Sequence, residues 1–171
     1  CPMLPFLLGE PQELPDPPLP TELAKRVANT EEPRLELTST EARDRQGNRI
    51  WDLELRQGTE LIRRWSSVTG RPYTEDRDRF SRPGNHAPLP PGAYLIGAPI
   101  RLHSGDLYEL GRSWFIPVDP LFSTPRGHFG IHEDVSLDGT AGCIGLAGRR
   151  LTEEVTQWVR SAGARYLLVK D

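Results

Sequence analysis

Short apolar runs, separated by glycine and proline, dominate this chain from residue 34 onward. Arg34-Leu-Glu-Leu-Thr-Ser39 alternates apolar and polar side chains, and Ile50-Trp-Asp-Leu-Glu-Leu55 repeats the alternation after a Gly47-Asn48 turn. A period of two places successive side chains on opposite faces of a pleated strand, whereas a helix needs a period of about 3.6. The pattern therefore predicts a mostly β fold.

Other runs of the same kind predict the remaining strands. They are expected at Leu61–Val68, Ala93–Ile96, Ile100–Leu102, Leu107–Leu110, Trp114–Val118, His128–His132 and Arg165–Val169. The polar stretch from Gly70 to Ala87 predicts an exposed loop, and Pro88-Leu-Pro-Pro-Gly92 predicts a stiff turn after it.

One long segment has helical spacing, from about Thr152 to Ser161. Its apolar stripe consists of Val155, Trp158 and Val159. Thr152 is the predicted N-cap, and Gly163 is expected to end the helix. The prediction is thus a mostly β domain with one main C-terminal helix.

Residues 1–33 differ from the rest because they hold eight of the 17 prolines. Proline at this density predicts an extended arm or linker, with a short helix at Thr21–Asn29 and the folded domain spanning residues 34–171. Two interpretations stay open: a tether to a membrane, cell wall or further domain, or an arm packed over the domain. Cys1 is either a lipidated anchor residue or simply the first residue of this sequence.

Charge and cysteine content exclude several classes of protein. A net charge of −3 in 171 residues gives no basic surface for nucleic acid. Acidic and basic residues are interspersed, which is typical of a solvated surface, and no apolar run is long enough to cross a bilayer. Two cysteines, Cys1 and Cys143, are too few for a disulfide scaffold. A bridge between them remains an alternative, and it would block Cys143 chemically.

The residues that could carry out chemistry lie between Arg126 and Ile144. His132 ends a strand-like run, and Cys143 follows in the glycine-flanked segment Gly139-Thr-Ala-Gly-Cys-Ile144. A thiol is a useful nucleophile as its thiolate, and a nearby imidazole can remove its proton. We therefore predict a Cys143–His132 acyl-transfer site, with the amides of Gly142 and Cys143 facing the oxyanion. A backbone carbonyl, Asp134 or Asp138 would orient the imidazole.

Neighbouring side chains extend this prediction. Arg126 is a candidate for binding a substrate carboxylate or for a surface ion pair, and His128 is a candidate substrate contact. Asn85 and His86 could reach the cleft from their loop. A zinc site of Cys143, His128 and His132 is a weaker alternative, because paired cysteine spacings are absent. No Gly-x-Ser-x-Gly elbow is present, which disfavours a serine hydrolase.

Gly130-Ile-His132 followed by Gly139-Thr-Ala-Gly-Cys-Ile144 resembles the signature of L,D-transpeptidase catalytic domains, the YkuD-like fold. Pro90-Pro-Gly-Ala-Tyr-Leu-Ile96 is similar to the strand entry of that family, and the likeness covers roughly residues 34–171. Typical members have a histidine where Ala141 stands and an arginine where Gly145 stands. The pattern is similar to a divergent branch that includes secreted peptidoglycan-cleaving effectors.

The resemblance implies a YkuD-like β-sandwich or barrel and a cofactor-free enzyme with Cys143 as nucleophile and His132 as base. It implies that peptidoglycan stem peptides are the partners, contacted by Arg126, His128, Thr140 and Ala141. The expected activity is L,D-transpeptidase or L,D-carboxypeptidase, outside the bacterial cytoplasm. The alternatives are a non-catalytic wall-binding domain of the same fold and a cysteine amidase or endopeptidase that acts on another peptide.

Overall fold

The computed structural model describes residues 26–27, 31–72, 74, 79, 86–103, 111 and 113–170. The mostly β prediction is confirmed, because these residues form nine strands and a C-terminal helix. The strands are β1 Pro33–Arg43, β2 Arg49–Gln57, β3 Glu60–Thr69, β4 Gly92–Ile96, β5 Ile100–Arg101, β6 Trp114–Pro120, β7 Gly130–Glu133, β8 Ile144–Leu146 and β9 Tyr166–Val169. The helix α1 spans Arg149–Ala162 and lies between β8 and β9.

The nine strands form a single sheet in the order β4-β9-β1-β2-β3-β8-β7-β6-β5. β4 also pairs with β6, so that the sheet closes on itself. β1, β2 and β3 are an antiparallel meander, and β7 pairs with β8 in parallel. Closure removes most free strand edges and gives the sheet an interior face.

The hydrophobic core occupies this interior face. Its fully buried members include Leu35, Leu37, Leu53, Leu55, Ile116, Ile131, Ile144 and Leu167. Two helix residues, Val155 and Val159, pack into the same core. Alternation along each strand then directs the intervening side chains of β6, β7 and β8 to the opposite face of the sheet.

Several boundaries differ from the sequence prediction. The helix begins one turn earlier than expected, at Arg149, and Thr152 is not its N-cap. The Thr152 hydroxyl instead donates to the Gly148 carbonyl from inside the first turn. Gly163 ends the helix in the left-handed conformation, as predicted. The strand β8 was not predicted, since Ile144–Leu146 is too short to show a period.

Other predictions fall on residues outside the described ranges. These are the strand Leu107–Leu110 and most of the proline-rich arm, of which Arg26 and Val27 are helical, residues 31–32 are described and Pro33 is the first residue of β1.

The charged residues of β1 and β2 do not form the solvated surface that their interspersed charges suggested. Glu36 is 3% exposed and accepts hydrogen bonds from Arg34 and Lys170, both at 2.7 Å. Burial alone would raise the pKa of Glu36, but these two partners lower it below the ordinary value. Glu54 is paired in the same way with Arg56 and Arg64. These oppositely charged side chains therefore pair with one another and help to stabilise the sheet.

The contact between β6 and β7 depends on the absence of a side chain at Gly130. A Cβ there would lie 2.3 to 2.7 Å from the Phe115 ring, which is fully buried and cannot move aside. Gly130→Ala should lower the free energy of unfolding by about 1–3 kcal/mol. Urea denaturation followed by circular dichroism measures this loss. Gly127→Ala is the matched control, because no atom lies within 4 Å of its added Cβ. Equal midpoints for the two variants would contradict this packing.

Candidate active site

The parallel pairing of β7 with β8 brings the two predicted catalytic residues to one face. Ile131 is opposite Ile144 and His132 is opposite Gly145. Because both isoleucines point into the core, His132 and Cys143 point to the other face. Cys143 directly precedes β8, and continuing the alternation of that strand by one residue places its side chain on the face of His132.

The connection between these strands is short for a parallel crossover, which usually takes about a dozen residues or more. Residues 134–143 complete it by adopting positive φ angles at Leu137 (62°), Gly139 (88°) and Gly142 (127°). Gly142 in particular admits no side chain, since its Cβ would lie 2.4 Å from the Arg126 guanidinium. The glycines beside Cys143 are therefore needed to return the chain to His132.

Gly145, directly across from His132, is also enclosed. A Cβ at this position would lie 2.9 Å from both Asp134 Cβ and Thr140 Cγ2. A side chain at residue 145 would therefore clash with these two neighbours.

His132 is 4% exposed and has a defined tautomer. Its Nδ1 lies 2.7 Å from the Glu133 carbonyl oxygen, which can only accept, so Nδ1 carries the proton. Nε2 is then an unprotonated acceptor, and it is buried without a hydrogen-bond partner among the described residues. Burial lowers the pKa of His132 to about 4, although the Glu133 hydrogen bond opposes the shift. The ring is therefore a neutral base near pH 7.

A backbone carbonyl orients this imidazole, one of the three predicted alternatives. Asp134, another of them, instead accepts a hydrogen bond from the Gly139 amide at 2.9 Å. Burial raises the pKa of Asp134 above its ordinary value, and the Gly139 bond opposes that rise. Asp134 therefore shapes the connecting loop.

Phe115, on β6, is a further neighbour of His132. Its ring stacks on the imidazole with centroids 6.1 Å apart and an interplanar angle of 18°. Both are on the face that carries Cys143, because Ile116 is opposite Ile131 and Phe115 is therefore opposite His132. An apolar ring against the imidazole excludes water and disfavours its charged form. Gly130, which leaves space for this ring, was the available sequence signal.

Thr140 organises the turn that carries Cys143. Its hydroxyl donates to the Cys143 carbonyl at 2.5 Å and accepts from the amides of Gly70 (3.1 Å) and Gly142 (3.2 Å). Thr69, which the sequence did not single out, donates to the Gly142 carbonyl from β3. The Thr140 hydroxyl thus contacts backbone, and its role here is to position the nucleophile.

One of the two predicted oxyanion donors, the Gly142 amide, is already hydrogen-bonded within the turn. The Gly142 amide donates to the Thr140 hydroxyl and therefore points into the turn. An oxyanion at this site would need the Cys143 amide and other donors. Ala141, the remaining predicted substrate contact in the turn, is half-buried.

Arg126 is buried and occupied by main-chain partners. It is 4% exposed, and its guanidinium donates to the carbonyl oxygens of Arg79, Ala87 and Pro88 at 2.6, 2.8 and 2.9 Å. The same group packs against Gly142 Cα. Arg126 therefore ties the segment around Ala87 to the cysteine turn, and its guanidinium is buried and does not lie at the surface.

His128 lies beside the sulfur but not on the predicted strand. β7 begins at Gly130, and His128 precedes it with a left-handed φ of 57°. Its carbonyl oxygen is 3.7 Å from Cys143 Sγ. The Nδ1 atom of its half-buried ring has no hydrogen-bond partner in the described part of the chain. Residues with such strained backbone angles cluster at functional sites.

Two other predicted contacts are less central. His86 is half-buried, with a φ of 58°, and its carbonyl accepts from the Arg71 amide. Asn85 lies outside the described residues.

The state of Cys143 differs from the predicted thiolate nucleophile. Its residue surface is 0% exposed, and it is disulfide-bonded. The sequence has one other cysteine, Cys1, which lies outside the described ranges. The Cys1–Cys143 bridge that the sequence left as an alternative stays a prediction, because the structure does not describe Cys1. A disulfide sulfur is no nucleophile, so the predicted Cys143 thiolate is not present in this structure.

The arrangement of these residues does not support a zinc site. Among the described residues, no three histidine, cysteine or acidic side chains are grouped as a metal site requires. Cys143 in a disulfide has no thiolate to offer a metal.

The depressed pKa of His132 makes stability depend on pH. An unfolded imidazole takes up a proton as pH falls below about 6.5, whereas the folded one does so only near pH 4. The unfolding free energy should therefore fall by about 3 kcal/mol between pH 6.5 and 4 through this group. Urea titrations of wild type and His132→Gln measure the difference, and exposed His103→Gln is the control. A wild-type advantage over His132→Gln that stays constant across this range would contradict the buried neutral ring.

Comparisons with known proteins leave the chain without an assigned family. No protein-family model, no curated protein and no solved structure matches it. Within the described part of the chain, no helix has the length and apolarity that a bilayer span requires.

Proposed function

We propose that this chain is a cysteine acyltransferase that acts on bacterial peptidoglycan stem peptides once Cys143 is reduced. The observation that carries the proposal is the common face of β7 and β8, on which a tautomer-fixed, neutral His132 lies one strand from Cys143. Histidine, orienting carbonyl and cysteine are the parts that an activated thiol requires.

In the proposed reaction, His132 Nε2 takes the thiol proton as Cys143 Sγ attacks the carbonyl of an L-residue joined to a D-amino acid. The new C–S bond forms a thioester, and the C–N bond breaks. The protonated His132 returns its proton to the leaving amine. Because burial disfavours a resting imidazolium, proton transfer accompanies the attack and does not precede it. The thioester then transfers its acyl group to an amine or to water.

The substrate class is supported by the resemblance of the Gly130-Ile-His132 and Gly139-Thr-Ala-Gly-Cys-Ile144 segments to L,D-transpeptidases. An amine acceptor gives the transpeptidase outcome, and water gives the L,D-carboxypeptidase outcome. The disulfide at Cys143 supports a location outside the bacterial cytoplasm, because such bonds persist mainly in oxidising compartments.

A second function is favoured by the same disulfide. A fully buried, bridged cysteine is typical of a structural residue, as in a non-catalytic wall-binding domain that keeps the fold. Turnover of a muropeptide by the reduced protein distinguishes the two functions.

The test incubates dithiol-reduced protein with a tetrapeptide muropeptide and identifies the products by mass spectrometry. Wild type should release the terminal D-amino acid or form a crosslinked dimer, whereas Cys143→Ala and His132→Gln should leave the substrate intact. His103→Gln, changed at an exposed histidine, should behave as wild type.

Processing by Cys143→Ala at the wild-type rate would refute the cysteine mechanism. A folded, reduced wild type that binds muropeptide without turning it over would support the wall-binding alternative. Cleavage at a different amide bond would assign an amidase or endopeptidase.

A further inference from the structure

We propose that His128 is a second catalytic residue of this site, the base that deprotonates the acceptor when the Cys143 thioester is resolved, with Asp119 as its positioning residue. This inference rests on the proposed function, because it assigns the second half of the same reaction. His132 serves the first half, in which the sulfur is acylated.

His128 and His132 precede and follow the residue of the neighbouring strand that lies beside Cys143. The parallel register of β7 and β8, continued by one residue, brings Gly130 beside Cys143. The two histidines are therefore spaced evenly along the chain to either side of that point. The His128 carbonyl oxygen lies 3.7 Å from Cys143 Sγ, so the backbone of this residue is already in contact with the reacting atom.

Each of these imidazoles has a ring nitrogen without a partner. His132 Nε2 and His128 Nδ1 are both buried and lack a hydrogen-bond partner among the described residues. A buried polar atom without a partner is costly unless a ligand satisfies it. The reaction moves two different protons, one from the thiol and one from the acceptor. Two unpartnered nitrogens beside one sulfur match these two protons.

The environments of the two rings indicate which proton each one takes. His132 is 4% exposed and stacks on Phe115, so its Nε2 suits the short transfer from the thiol of Cys143. His128 is half-buried and thus lies closer to the solvent from which an acceptor arrives. The more exposed ring is therefore the better placed of the two to meet a second substrate.

Asp119, on β6, is opposite His128. The Val118 amide donates to the Phe129 carbonyl at 3.0 Å, which extends the antiparallel register of β6 and β7, and the next pair in that register is Asp119 with His128. Burial raises the pKa of Asp119, and the charge of His128 opposes this rise. The two side chains thus interact electrostatically. A carboxylate at this place orients the imidazole and stabilises the positive charge that it gains as a base.

In the second half-reaction, a neutral amine or a water molecule attacks the thioester carbonyl. His128 Nδ1 takes a proton from the acceptor as the new C–N or C–O bond forms. The C–S bond breaks, and Cys143 leaves as a thiolate. His128 then returns the proton to this thiolate, which restores the thiol and the neutral imidazole for the next cycle.

The test separates the two half-reactions by intact-protein mass spectrometry of dithiol-reduced protein incubated with a tetrapeptide muropeptide. The variant is His128→Asn, because asparagine tolerates the left-handed φ of 57° at this position. It should form the Cys143 thioester at close to the wild-type rate and then accumulate it, with turnover about 100-fold slower. His132→Gln should form no thioester, and His103→Gln, changed at an exposed histidine, should behave as wild type.

Two further measurements distinguish a base from a residue that only supports the fold. Hydroxylamine attacks thioesters near neutral pH without help from a base, so it should discharge the thioester of His128→Asn as fast as that of wild type. Asp119→Asn should discharge its thioester into water at a rate between those of wild type and His128→Asn. Glu41→Gln, changed at an exposed carboxylate on β1, is the matched control and should not differ from wild type.

Discharge into water by His128→Asn at the wild-type rate would overturn the inference and leave the proposed function intact. Loss of thioester formation in this variant would also overturn it, since His128 would then act in the first half-reaction. No thioester in reduced wild type would refute the proposed function, and the inference with it. Were His128→Asn not to fold, Asp119→Asn decides: discharge at the wild-type rate overturns the inference.

Discussion

The register between β7 and β8 is the constraint on which the candidate site depends. Ile131 and Ile144 meet in the core, and their burial holds the two strands in phase. A slip of one residue would turn either His132 or Cys143 into the core and separate them. The hydrophobic interior of the closed sheet thus determines, through alternation, which side chains share its outer face.

Hydrogen bonds from polar side chains to the main chain then hold the loops that strand pairing does not fix. Thr140 binds three main-chain groups around Cys143, and Arg126 binds three carbonyls on the facing segment. Buried hydroxyl and guanidinium groups are stable only when their donors are satisfied, so these contacts are specific as well as strong. Preorganisation of this kind is what a nucleophile needs, and it is present even while the sulfur is oxidised.

Much of this could be read from the sequence, because alternation and helical spacing are local properties. Such patterns predicted the helix α1 and every described strand except β8, with bounds that differ by a few residues. β8 could not be predicted, since three residues carry no period and its pairing is set by distant strands. The buried roles of Arg126 and Thr140 were missed for a related reason: their partners are main-chain atoms, which no side-chain pattern reveals.

The distance between two atoms in the reduced protein tests this account most directly. A crystal structure determined after dithiol treatment should place Cys143 Sγ within about 4 Å of His132 Nε2, in line with a hydrogen bond from sulfur. The Glu133 carbonyl should still hold Nδ1. A reduced structure in which the imidazole and the sulfur lie on opposite faces of β7 and β8 would contradict it.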